Sequence, residues 1–306
     1  MVAGLFILDL LKNKSKCNLI YMPELPEVET IRRGLNTKIV NKQIIGIEVK
    51  KPNLVRNKKS EFRSILHNNR VLFIDRIGKL LILHLESDNY LLIHLKMTGQ
   101  LIYSFKNDLV VGGHKYSLSD NFPNKYSYII FSFVDGSSLF FNDMRQFGYM
   151  EIVDKEGHKK ARSKFGPEAG SKDFTLKKFR GIIKGRRGVL KALFLNQQII
   201  AGIGNIYADE ICFRAKVLPN RLVDTLSDSE IKRLYQATQY IIQKAIDKKG
   251  TTFKDYRDSD NKKGNFVKYL KVYGRKDKKC LVCKKDKIKK IKLAGRGTHF
   301  CPSCQK

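Results

Sequence analysis

The chain has 306 residues, 60 Lys and Arg against 29 Asp and Glu, and a formal charge of +31. That length suggests two domains with room for real cores, and so large a basic surplus draws polyanions, either nucleic acid or an anionic membrane face. Nothing approaches the ~18 consecutive apolar residues of a membrane span, and the first nine residues, without a basic leader and broken by Asp9, make a poor signal peptide. Six cysteines, four of them in two C-x-x-C pairs, suit a metal site in a reducing cytoplasm better than a disulfide framework.

Residues 1–21 match nothing that follows and read as a mis-start or a disordered leader. Met22-Pro23-Glu24-Leu25-Pro26-Glu27-Val28-Glu29-Thr30 then reads as a protein start. If Met22 initiates and is trimmed, Pro23 becomes the N-terminus, with a secondary amine of pKa about 8 that is partly unprotonated at neutral pH. Beside the Glu24 carboxylate, such an amine is equipped for Schiff-base chemistry. The same residues also make an ordinary helix start, with Pro26 at its first position and Val28, Ile31 and Leu35 along one face. Spacing alone leaves both readings open.

A β-rich region follows. Runs at 71–74, 80–85, 90–95, 128–134 and 138–141 are β-branched, aromatic or leucine-rich, and Asp135-Gly136 is a tight-turn signal between the last two. Short antiparallel strands of this kind predict a sandwich or barrel. Residues 106–124, with Gly112-Gly113, read as a long loop, and 153–173, with Gly157, Gly166-Pro167 and Gly170, as the interdomain connection. Three motifs fall at strand ends: Arg76-Ile77-Gly78-Lys79, His94-Leu95-Lys96-Met97-Thr98-Gly99 and Asp143-Met144-Arg145-Gln146-Phe147-Gly148. Lys79 is suited to meet a phosphate. By pattern alone Met97 and Phe147 are core residues and Arg145 a surface charge.

Beyond 173 the pattern turns helical. The stretch at 200–210 contains Gly202-Ile203-Gly204-Asn205, where glycines permit close backbone approach and Asn205 is placed to cap a helix whose free amides would receive a phosphate. Ser227-Asp228-Ser229-Glu230 is a capping box; Ile231, Leu234, Thr238, Ile241 and Ala245 form a helical stripe, which Gly250 closes. Last comes Cys280-x2-Cys283-x17-Cys301-x2-Cys304, two thiolate pairs around an insert long enough for a hairpin. Four sulfur ligands leave no open position, so the expected zinc is structural. His299 is a weaker alternative ligand. From Arg275 to Arg296 there are eleven Lys and Arg, with Ile288, Ile291 and Leu293 interleaved and Gly295-Arg296-Gly297 at the expected turn, a basic tip suited to a phosphate backbone.

Taken together, these motifs closely resemble the formamidopyrimidine-DNA glycosylases, bifunctional repair enzymes for oxidised purines. The resemblance runs from Met22 to the end of the sequence. It rests on residues 23–30, Gly78-Lys79, 94–99, Arg145-x-Phe147-Gly148, 202–205, 250–255, Val272-Tyr273-Gly274-Arg275 and the four-cysteine module. It implies an α+β fold: an antiparallel β-sandwich with a leading helix at 22–152, a linker at 153–173, a helix–two-turn–helix domain at 174–265 and a zinc-finger hairpin at 266–306, with DNA between the domains. It implies that Pro23 attacks C1′ of the damaged nucleoside, that Glu24 is the general acid/base, and that Lys79, Asn205 and Arg296 hold phosphates. Met97, Arg145 and Phe147 would fill the gap left by the extruded base, Arg145 facing the orphaned cytosine. Residues 251–266 would form the loop over the everted base. The expected partner is double-stranded DNA with oxidised bases or abasic sites. One structural zinc, no catalytic metal, a monomer and a cytoplasmic location complete the expectation.

Two departures stand out. Gln146 occupies a position where many relatives carry a second basic residue, and a retained leader would leave Pro23 an amide nitrogen unable to attack. The nearest rival is the sister enzyme for oxidised pyrimidines, endonuclease VIII, which usually has glycine where this chain has Leu25. A non-catalytic zinc-dependent DNA-binding protein is the rival of a different class, and a basic RNA-binding or ribosomal protein leaves the Pro23-Glu24 start unexplained.

Overall fold

The structure, a computed structural model, describes residues 22–106, 108–112, 122–251 and 265–306. The expected leader at 1–21, residues 107 and 113–121 of the expected loop, and 252–264 of the expected covering segment lie outside them.

Helix α1 (Leu25–Ile39) starts one residue before the position expected from Pro26. Its apolar positions serve two cores. Val28, Ile31, Leu35 and Ile39 enter the core of the β-rich part, whereas Leu25, at the first turn, packs into the core of the helical part. Each such side chain contributes roughly 1.5–3 kcal/mol when fully buried, so α1 pins the two parts together from its first residue.

After α1 come β1 (Ile44–Val49), α2 (Lys59–Leu66) and strands β2 (Val71–Ile77), β3 (Leu80–Leu85), β4 (Tyr90–His94), β5 (Gly99–Phe105), β6 (Asp108–Gly112), β7 (Ser127–Phe133), β8 (Ser138–Asp143) and β9 (Tyr149–Val153). They form two antiparallel sheets, ordered β1-β7-β8-β5-β6 and β2-β3-β4-β9. Alternate residues such as Leu81, Leu83 and Leu91 on one sheet and Leu101, Ile129 and Phe141 on the other meet in one core, as sandwich packing requires. Part of the stretch read as a loop is instead the edge strand β6, drawn into register with β5 from Leu101↔Gly112 to Phe105↔Asp108.

The interdomain connection is more ordered than glycine content suggests. Residues 155–163 form α3 (Lys155–Ser163), N-capped by the Asp154 carboxylate on the Gly157 amide. Ala161, with Phe165 just beyond the helix, packs on the outer sheet face against Leu80, Ile82 and Leu92. The helical part contains α4 (Leu176–Ile183), α5 (Leu190–Leu195), α6 (Asn205–Ala215) and α7 (Asp228–Asp247). The Ser227/Glu230 capping box opens α7, and all five residues of its predicted stripe are buried. The last module is the hairpin β10 (Lys289–Leu293) and β11 (Arg296–Phe300). Its turn is Ala294-Gly295, both at positive φ (48° and 70°) as a two-residue primed turn requires, so Arg296 is the first residue of β11 rather than the turn itself.

Candidate active site

The glycines of the 202–205 motif are explained by the N-terminal segment of the described chain. The Leu25 amide donates to the Gly202 carbonyl at 3.1 Å, and a Cβ on Gly202 would lie 2.3 Å from the Leu25 side chain. Gly202 also has φ +99°, a region other residues avoid. A Cβ on Gly204 would lie 2.3 Å from the Glu24 carboxyl carbon. The close approach that the motif permits is therefore that of residues 24–25.

Glu24 is 2% exposed. Its carboxylate accepts from the amides of Gly204 (2.8 Å), Ile206 (2.9 Å) and Tyr207 (3.4 Å), the unpaired donors at the start of α6. This corrects the expectation that the helix start receives a phosphate: the positive end of α6 is occupied by Glu24. Asn205 does not cap the helix either. The residue before α6 is Gly204, and Asn205 Nδ2 donates to the Gly297 carbonyl (3.2 Å) and the Tyr273 hydroxyl (3.3 Å). Its buried Oδ1 has no partner among the described residues.

Burial pushes the Glu24 carboxyl from the ordinary 4.5 up to about 7, with the Lys79 ammonium pulling it back, the Glu27 charge pushing it further up, and the Ile206 and Tyr207 amides lowering it. Lys79, in the turn immediately before β3, is 8% exposed and donates to the Ile203 carbonyl at 3.0 Å. That bond uses one of three ammonium donors. Burial lowers its pKa, while Glu24 and Glu27 hold it up. Pro23 is buried immediately before Glu24. An acid poised near neutrality and a buried cation thus meet where the two cores join, with Pro23 the preceding residue in the chain.

Sequence reasoning missed Glu27. Fully buried, it accepts from the Glu24 amide (3.0 Å), the Tyr207 hydroxyl (2.7 Å), the Thr251 amide (2.6 Å) and the Thr251 hydroxyl (2.9 Å). A glutamate three residues after Glu24 was the available signal, since it can reach back to the amide at the helix start. Around it, Glu29 binds Arg32, Arg33 and Arg76, and Arg76 binds Glu168 through two nitrogens (2.6 and 3.0 Å). Burial would raise the Glu29 carboxyl, but its Arg32 hydrogen bond and the Arg76 charge outweigh that and hold it at about 2. Glu168 also accepts from the Gly78 amide at 2.7 Å, so this network clamps the turn before Lys79 against the connection.

A second group forms at the strand ends. Asp143, fully buried, accepts from the Thr98 hydroxyl, from Arg145 N–H (3.2 Å) and from Gly148 N–H (2.6 Å). The turn it fixes leaves Phe147 51% exposed, with the Arg145 guanidinium 4.7 Å from its ring centroid and 3.1 Å from Met97 Sδ. Met97, Arg145 and Phe147 are therefore one cluster, and Phe147 is not the core residue its type suggests. Gln146 donates to the Tyr128 hydroxyl at 3.4 Å. Nearby, His94 accepts from the Lys96 amide through Nδ1, and burial with the Lys96 charge holds it neutral, its pKa lowered to about 3. Its Nε2 then carries the proton and is a donor.

The four cysteine sulfurs lie within 4.8 Å of one another, with Cys280–Cys304 at 3.9 Å and Cys283–Cys301 at 3.7 Å. A tetrahedral zinc with bonds of about 2.3 Å needs sulfur–sulfur edges of about 3.8 Å, so the set fits one zinc. His299 is not part of it: its amide and Nδ1 both face Asp209, at 2.8 and 3.2 Å. Asp209 also binds Lys191 at 2.6 Å; the Lys191 ammonium donates further to Thr298 Oγ1 (2.8 Å) and the Gly297 carbonyl (3.2 Å), with both side chains fully buried. This network, which no motif announced, seats the hairpin on α5 and α6 and so places Arg296. Replacing Lys191 by Met should leave Asp209 buried without its cation and cost about 3–5 kcal/mol of stability. Urea denaturation checks this; a loss below about 1 kcal/mol would show that water reaches the pair.

Three family models match: the formamidopyrimidine-DNA glycosylase N-terminal domain over residues 22–150, its H2TH domain over 165–257, and the zinc finger found in these glycosylases and in isoleucyl-tRNA synthetases over 277–306. Formamidopyrimidine-DNA glycosylase from Streptococcus mutans is 42% identical over 289 residues, covering 93% of this chain and 100% of the relative. The protein of that description from Listeria monocytogenes is 41% identical over 288 residues with the same coverage. Among solved structures, the Lactococcus lactis Fpg protein with DNA containing an abasic site superposes with a TM-score of 0.81 at 34% identity, over 93% of this chain and 100% of that one. A complex of the Lactococcus lactis protein with DNA containing N7-benzyl-Fapy-dG matches equally, at a TM-score of 0.81.

Proposed function

Because the chain belongs to the formamidopyrimidine-DNA glycosylase family, we propose that the groups converging on Glu24 excise an oxidised purine from duplex DNA through attack of the Pro23 nitrogen on C1′. The protein is a base-excision repair DNA glycosylase for oxidised purines, and cleavage of the resulting abasic strand is a property of the family. The observation that carries the assignment of roles is the placement of Glu24: directly after Pro23, on the amides of α6, with its carboxyl near neutrality.

In this reading Pro23 displaces the damaged base and forms a Schiff base with the opened sugar. Glu24, close to half-protonated at pH 7, gives a proton as the sugar ring opens and takes one in the later eliminations. Lys79 keeps two N–H donors for a phosphate. Asn205 Oδ1, without a partner among the described residues, points to an adjustable amide that supplies its Nδ2 donors to DNA once the strand is bound. Arg296 meets the backbone from the first position of β11, and His94 adds an Nε2 donor. Met97, Arg145 and Phe147 enter the gap in the duplex, where the exposed Phe147 ring replaces lost stacking and Arg145 faces the orphaned cytosine. The parts correspond to a sandwich at 22–152, a connection at 153–173, the helical domain at 174–265 and the finger at 266–306. The enzyme acts as a monomer on lesion-containing double-stranded DNA. Among the described residues no helix is long and apolar enough to cross a membrane. A cytoplasmic location is in keeping with four thiols gathered for a metal.

Excision from a duplex with 8-oxoguanine opposite cytosine, compared with one carrying thymine glycol, tests the reading. Faster release of 8-oxoguanine is expected; preference for thymine glycol would transfer the chain to the pyrimidine-directed sister group. The finger holds one structural zinc, by the fit of its four sulfurs. Stripping it with a chelator should weaken DNA binding by at least about tenfold, since the metal fixes the base of the Arg296 hairpin. Unchanged affinity after verified zinc loss would remove the finger from the interface.

A further inference from the structure

A cleft of about 750 Å³ opens on the helical domain between α6, α7 and the finger. Its floor is apolar, formed by Phe213, Ile241 and Phe266, and its edge carries two unusually exposed apolar residues, Tyr240 (42%) and Val282 (59%). Six cations line it: Arg214, Lys216, Arg233, Lys244, Lys271 and Lys306. None of the six is ion-paired to a carboxylate among the described residues. The two acidic side chains that line it are already engaged. Glu210 accepts from the amides of Lys271, Val272 and Tyr273, and Glu230 pairs with Arg221 and accepts from the Ser227 amide.

We propose that this cleft docks an acidic segment of a partner protein, inserting one aromatic or aliphatic side chain between the cations. Two features favour a peptide over nucleic acid. First, the cleft lies at the wrong end of both elements that carry proposed phosphate ligands. Asn205 begins α6 and Arg214 lies near its end, about 14 Å along the axis. Arg296 begins β11, and the lining residues Ser303 and Cys304 follow its end, beyond a strand about 14 Å long. A strand held by Asn205 and Arg296 therefore leaves the cleft open. Second, the aromatic rings at the cleft already carry the protein's own cations: Arg214 sits 3.4 Å from the Tyr240 ring centroid and Lys244 4.3 Å from that of Tyr269. Base stacking needs free ring faces, whereas carboxylates need those same cations.

The test uses the full zinc-bound chain, saturated with a duplex carrying an uncleavable abasic-site analogue. A fluorescein-labelled peptide with a run of aspartates and one phenylalanine is titrated at about 150 mM salt, where unfocused attraction to a basic surface is screened. Saturable binding that persists with the duplex bound is expected. It should weaken by at least about tenfold with R214E, with K271E, and when alanine replaces the peptide's phenylalanine, while lesion-duplex affinity and strand cleavage stay within about twofold. Displacement of the peptide by the duplex, indifference to both charge reversals, or indifference to the phenylalanine would overturn the proposal. So would a single-stranded oligonucleotide that binds the complex more tightly than the peptide and is weakened by these substitutions, which would make the cleft a nucleic-acid site.

Discussion

A chain beginning at Pro23 is expected to form a borohydride-trapped covalent adduct with DNA containing 8-oxoguanine opposite cytosine, and the same chain with that nitrogen acylated is expected to form none. The reason is electronic. A terminal proline is a secondary amine of pKa about 8, whereas an amide nitrogen delocalises its lone pair into the carbonyl and has none to give. Loss of a nucleophile of this kind should cost on the order of 10⁴-fold or more in rate. A chain that starts at Pro23 carries that secondary amine, whereas one that keeps residues before it carries an amide nitrogen there. Intact mass measured on the same preparation connects activity to the start of the chain. An adduct formed by protein that keeps residues 1–21 would remove Pro23 as the nucleophile.

Replacing Glu24 by Gln should lower the glycosylase rate by about 10²- to 10⁴-fold, the usual weight of a general acid/base. The side chain would also present an NH₂ group to a set of amide donors that now converge on carboxylate oxygens. A stability comparison gives an independent readout. The folded-state pKa of Glu24 is raised, from 4.5 to about 7, so its contribution to stability is fully present below pH ~4.5 and is lost as pH rises through about 7. Glutamine has no such dependence. The stability of E24Q relative to the unsubstituted protein should therefore improve between pH 5 and pH 8. Glu210, raised to about 7 by its own burial, titrates in both proteins and cancels from the difference. A difference that stays flat with pH would mean that Glu24 is ionised throughout and cannot serve as the acid. Wild-type activity in the glutamine variant would remove it from the mechanism.

Much of the architecture was legible in the sequence because it is written in local pattern. Strand runs such as 80–85, the capping box at Ser227 and Glu230, and the stripe from Ile231 to Ala245 depend on residues a few positions apart, and the structure has them where period and capping chemistry put them. The zinc set was equally plain, since two thiols three residues apart face one ion whatever surrounds them. Pro23 and Glu24 could be named because their motif is contiguous. What they touch could not.

Lys191, Asp209 and Glu168 carry no local signal, and the spacing of Glu27 from Glu24 announces a capping contact but not its other partners. Their partners lie far along the chain, with Glu27 meeting Thr251 and Lys191 meeting Thr298. A buried charge is recognised only once the fold shows what neutralises it. The glycines at 202 and 204 do permit close approach, but the approaching group is the chain's own Glu24 and Leu25 rather than a phosphate. Sequence by itself determined the strongly patterned elements, the metal ligands and the chemical equipment, because propensity, periodicity and ligand spacing act over a few residues, whereas edge strand β6 and helix α3 took their order from what they pack against. Only the tertiary structure decided that Glu24 occupies the start of α6 and is pushed up to about 7, because desolvation and helix-end amides come from segments brought together in space.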